Sequence, residues 1–187
     1  NALALSAAMG LSAASNAGTI SLDGATFTSS WVGNTLRIEI DAGGPLSGGW
    51  ANAVSMDSIA INDAGSFNDP TDILLSATGF NSAMDGYGLN AGGCEALSGG
   101  KNHPCWTGSA TLADNMIFDF LFTGDSAPNF TDNPHLKVRF LDVAGNKVGS
   151  LLSVDLPSTE VPLPGTLGLL GLGLAGLGAV RRRKEAV

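Results

Sequence analysis

Charged residues are scarce in this chain of 187 residues: Asp, Glu, Lys and Arg make up 14% of it, where an average soluble domain carries about a quarter. Bases are the rarer sign, nine against seventeen acids. Arg181, Arg182, Arg183 and Lys184 supply four of the nine, so between Gly18 and Glu160 only Arg37, Lys101, Lys137, Arg139 and Lys147 oppose sixteen acids, a net charge of −11. A field of that sign repels phosphate and argues against nucleic acid as a partner. Imidazole is nearly absent, with only His103 and His135, and there is no G-x-S-x-G elbow, H-E-x-x-H, P-loop or C-x-x-C. No enzyme is expected on these grounds. A glycosidase-type carboxylate pair stays open as an alternative, because sequence does not place two acids about 5 to 9 Å apart.

What the chain has in quantity is glycine, 26 residues, together with Ala, Ser, Asn and Thr. That composition suits a turn-rich extracellular β protein, and the length suits one domain plus processing segments. Two-residue alternation supports the same reading. In Asn115–Thr123 the side chains of Met116, Phe118, Phe120 and Phe122 share one face and Ile117, Asp119 and Leu121 the other, which predicts a central strand covered on both sides. Leu36, Ile38 and Ile40 repeat the pattern, as do Leu136, Val138 and Phe140, followed by a turn at Ala144, Gly145 and Asn146 and a hairpin return over Val148–Val154. With Thr19–Leu22, Ser55–Ile61 and Asp72–Ala77, about eight strands are expected, in an all-β, jelly-roll-like antiparallel β-sandwich.

Cys94 and Cys105 are the only cysteines, and in an exported chain a disulfide between them is the natural expectation. A metal site or assisted thiol built from Cys94, His103 and Cys105 is a weaker alternative, lacking the paired close spacing of zinc ligands. Trp31, Trp50, Tyr87 and Trp106 are residues of the kind that stack on sugar rings, so a glycan-binding face competes with plain core packing. Asp63, Asp69 and Asp72 lie in a loop with enough oxygens for calcium, though Asp and Asn beside Gly and Pro are ordinary turn formers. The same choice applies to Asp142–Asn146. No other cofactor is expected.

The two ends read differently from the body. Residues 1–17 form an uncharged run ending in Ser15, Asn16 and Ala17, as expected of a truncated signal peptide cleaved before Gly18. At the far end Val161, Pro162, Leu163, Pro164 and Gly165 precede an apolar stretch, and the basic cluster Arg181, Arg182, Arg183 and Lys184 follows it. The prolines exclude helix and hold an extended strip. Residues 165–180 span about 24 Å as a helix at ~1.5 Å per residue, a short membrane span, and the bases after it keep the C-terminus cytoplasmic. The expected segments are therefore a leader at 1–17, a body at 18–157, a linker with motif at 158–164, a transmembrane helix at 165–180 and a tail at 181–187.

The short Pro motif, the Gly/Leu/Ala helix and the Arg-rich end together resemble the PEP-CTERM sorting signal of Gram-negative bacteria, over Val161–Lys184. Leu163 departs from the resemblance, standing where the motif has Glu. The resemblance implies export, transient anchoring in the inner membrane and recognition by exosortase, a membrane-embedded transpeptidase-like enzyme, often in bacteria that make exopolysaccharide. A cell-surface or extracellular structural or matrix component is then the leading expectation for the body, and a secreted glycan-binding module the alternative.

Overall fold

A computed structural model describes residues 17–96, 103–130 and 132–157. Alternation of apolar and polar side chains builds most of it. Among the described residues thirteen strands form: Ala17–Leu22 (β1), Ala25–Val32 (β2), Thr35–Asp41 (β3), Ser55–Asn62 (β4), Gly65–Ser66 (β5), Ile73–Ser76 (β6), Leu89–Asn90 (β7), Gly93–Cys94 (β8), Cys105–Thr111 (β9), Met116–Phe122 (β10), Ala127–Pro128 (β11), His135–Leu141 (β12) and Leu152–Asp155 (β13). They pair antiparallel as a five-stranded sheet β1-β2-β3-β10-β6, a four-stranded sheet β13-β12-β4-β9, and the small pairs β11-β5 and β7-β8.

One apolar core draws on both large sheets. Phe27 and Trp31 of β2, Leu36, Ile38 and Ile40 of β3 and Phe118, Phe120 and Phe122 of β10 meet Met56, Ile59 and Ile61 of β4, Trp106 of β9 and Leu136, Val138 and Phe140 of β12. Successive strand residues point to opposite faces, so these strands turn every second side chain inward, apart from the register shift in β4 and β9 beside Asp57. Aromatic rings bridge the sheets, Trp106 on Phe120 at 4.9 Å and Trp50 on Phe140 at 4.9 Å between centroids. Among the described residues a single 3-10 turn, Gly48–Trp50, carries Trp50 inward, where its Nε1 donates to the carbonyl of Ser150 at 3.1 Å.

The expected antiparallel two-sheet architecture is present, with a departure from the jelly roll. The strands β1, β2 and β3 run up and down within one sheet, and only after β3 does the chain pass from sheet to sheet, through β4, β6, β9, β10 and β12. Strands β2 and β9 lie outside the expected set because their inward positions include Ser29 or their sequence is Gly, Ser and Thr rich. A second correction concerns β10. It is central in pairing, between β3 and β6, but only one face is covered, for Ile117 is 42% and Leu121 41% exposed. The hairpin of β12 and β13 forms, with Asp142 Oδ1 accepting the amides of Ala144 and Asn146 at 2.9 and 2.8 Å, but β13 resumes only at Leu152. Strand β1 begins at Ala17, the last residue of the expected leader.

Candidate functional site

The second sheet carries an extra layer on its outer face. Strands β7 and β8 form a small flap there, joined to β9 by the disulfide Cys94–Cys105, as the sequence predicts. Leu89 of the flap and Cys105 pack with Ala60 of β4 in a small apolar cluster separate from the main core. Arg139 of β12 ties the layer down: it forms a bidentate ion pair with Asp57, Nε to Oδ1 at 2.7 Å, and its Nη1 donates to the carbonyl of Ala91 at 3.1 Å. Gly93 adopts φ +112° directly over the guanidinium, so a side chain there is both strained and crowded. With both cysteines oxidised the thiol nucleophile and thiolate metal site have no chemistry left to use. The Nδ1 of His103 is buried and without a hydrogen-bond partner; burial, then the charge of Lys137, lowers its pKa.

The four residues expected to stack on sugar rings are all buried: Trp31, Trp50, Tyr87 and Trp106 belong to the core. That corrects the idea of an aromatic platform built from them. The physical reason is area: a small sandwich needs its largest rings inside, where each removes more apolar surface from water than any aliphatic side chain. Trp31 is packed edge-on by Phe130 and tilted against Phe122, and Tyr87 stacks on Phe67.

The loop carboxylates are likewise dispersed. Asp72 turns inward, and its Oδ2 accepts the backbone amides of Asn68 at 2.9 Å and Asp69 at 3.0 Å, which hold its pKa below the ordinary carboxylate value. Asp63 instead lines a shallow polar depression of about 370 Å³ with Asp132, Asn133 and Asp155. Among the described residues no group of three or more His, Cys, Asp or Glu side chains is placed to hold a metal ion. Asp142 serves its turn in the same way as Asp72, its pKa lowered first by the amide of Asn146.

The two ends of the body meet. An added Cβ on Gly18 lands 1.4 Å from the carbonyl oxygen of Pro157, so only glycine fits against that backbone. Leu156 donates its amide to Pro134, and Asp155 holds His135 through Nδ1 at 2.5 Å. No local pattern signals this contact, because Gly18 and Pro157 stand at opposite ends of the folded sequence.

The sorting residues Val161, Pro162, Leu163, Pro164 and Gly165, the apolar stretch 165–180, the cluster Arg181, Arg182, Arg183 and Lys184, and all of the leader before Ala17 lie outside the described residues. Among the described residues no helix is long and apolar enough to cross a membrane. Residues 160–184 match the PEP-CTERM protein-sorting motif. The match bears out the resemblance read from the sequence and implies export, transient anchoring in the membrane and processing there by an exosortase. No curated protein and no solved structure matches the chain.

Proposed function

We propose that this chain is delivered across the inner membrane, held there by its C-terminal segment, and released by exosortase to act at the cell surface or outside the cell as a non-catalytic structural component, with exopolysaccharide as its surroundings and no cofactor. The observation that carries the reading is the sorting motif at residues 160–184. Three features of the body support it. Its disulfide suits an oxidising compartment. Its acidity keeps it soluble and apart from other polyanions. The outer face of its first sheet presents paired hydroxyls, Thr19 with Thr28 and Ser21 with Thr26, each at 3.0 Å, a surface that hydrates well beside neutral sugar polymers.

Intact-mass analysis of the protein from its native host tests this. Wild type is expected to lose the residues after the Pro motif, and a Pro162→Ala, Pro164→Ala variant to keep them. A full-length tail on both chains overturns the reading.

A further inference from the structure

The corner at which Gly18 meets Pro157 is one end of the sandwich, and the sheet registers show what else lies there. Ala17 pairs with Ser30, so the outward residue after Ser30, Val32, stands at the end where β1 begins. Val32 opposes Thr35, Thr35 opposes Leu121, and Leu121 opposes Leu74. These four make one row across the outer face of the first sheet, because in every one of the strands the adjacent residues Trp31, Leu36, Phe120, Phe122, Ile73 and Leu75 turn inward. Val32 is 58% and Leu121 41% exposed, an apolar ledge at one end of a face whose other exposed large apolar side chain, Ile117, lies four residues away toward the far end of β10. On the second sheet the same end carries His135, paired in register with Asn62 and Asp155, and the depression lined by Asp63, Asp132 and Asp155.

The sorting match begins three residues beyond Pro157. Residues 158–164, fully extended at about 3.6 Å each, reach at most about 25 Å. An enzyme acting on the Pro motif therefore works within about 25 Å of this end, whatever path the linker takes. We infer that this end of the sandwich is a docking surface for the processing enzyme, the Val32–Leu121 ledge meeting an apolar strip flanked by basic side chains on the enzyme's outward face. The inference rests on the sorting reading above. The carboxylates at this end decide between the two surfaces within reach, since they are repelled by anionic headgroups and attracted by basic protein side chains.

The test follows conversion of the tail-bearing form to the released form in the native host, by intact mass over time. Val32→Glu, the ledge variant, is compared with Val143→Glu, which places the same charge on an exposed turn at the opposite end of β12. Unchanged thermal melting of each released body controls for folding. The ledge variant is expected to convert more slowly by at least about fivefold, the scale of a single effective interface residue, and Val143→Glu at the wild-type rate. A flexible Gly/Ser insertion after Pro157 is expected to abolish the difference between wild type and ledge variant. Equal conversion of all chains at native spacing overturns the docking surface. So does binding of the released wild-type body, but not the ledge variant, to vesicles of phosphatidylethanolamine and phosphatidylglycerol, which makes lipid the occupant. Absence of conversion in wild type overturns the sorting reading itself, a distinct result.

Discussion

Arg37 and Asp119 lie directly opposite each other on β3 and β10 and close a bidentate ion pair, Nε to Oδ1 at 2.7 Å and Nη2 to Oδ2 at 2.8 Å, at the centre of the first sheet's outer face. The second sheet has its counterpart in Arg139 and Asp57, reached by a different route: the ladder between β12 and β4 shifts register beside Phe140, and Asp57 is the extra residue. In both, hydrogen bonding to the aspartate raises the guanidinium pKa further. The difference is cover, for the Arg37 side chain is 42% exposed and that of Arg139, under the flap, 16%.

Double-mutant cycles by denaturant unfolding are expected to separate the two pairs. Arg37 with Asp119, screened by water, should couple by no more than ~1 kcal/mol. Arg139 with Asp57 should couple more strongly, because charge-assisted bonds strengthen away from solvent. An equal or reversed order would show that the flap gives Arg139 no shelter.

Reducing Cys94–Cys105, or replacing both cysteines by Ala, should lower stability by somewhat less than ~3 kcal/mol, the chain-entropy scale for so short a loop. The two large sheets should persist, since their core contains neither sulfur. Hydrogen exchange should speed up in residues 86–95 and stay slow in β3, β4, β10 and β12.

Trp106→Ala removes the largest fully buried side chain and its contact with Phe120. The expected loss is ~3–5 kcal/mol in chemical denaturation. A near-neutral result would place Trp106 outside the core and reopen it as a ligand-facing ring.

Acid sensitivity should include Asp72. Its folded pKa lies below the ordinary value of 3.8, so its contribution is fully present above 3.8 and disappears as pH falls through the lower folded value. Urea midpoints measured from pH 5 downward should fall less steeply in Asp72→Asn than in wild type. Identical slopes would mean that the Asn68 and Asp69 amides give the carboxylate no preference for its charged form.

How much of this was legible depends on the distance over which each feature is specified. The strands with strict alternation, β3, β10 and β12, are readable because every inward residue is Leu, Ile, Val, Phe or Met and the period of two is local to the strand. Strand β9 escapes notice because Thr107, Gly108, Ser109 and Thr111 interrupt any apolar alternation, leaving Trp106 in the main core and Cys105 under the flap to do most of its packing. The turn at Asp142–Asn146 is likewise local, each bond spanning at most four residues.

The sequence by itself determined the sorting signal: the Pro pair, apolar run and basic end are contiguous, and a signal of that kind is read as contiguous chain. It also determined the sheet class and the cysteine pairing, since alternation is a local property and two cysteines admit one bond. Only the tertiary structure decided which face of β10 meets solvent, that Trp31, Trp50, Tyr87 and Trp106 lie inside, and that Gly18 touches Pro157. Those outcomes depend on which strands become neighbours and which sheet face is roofed by another segment. Both are set by the summed burial of residues far apart in the chain, which no local pattern encodes.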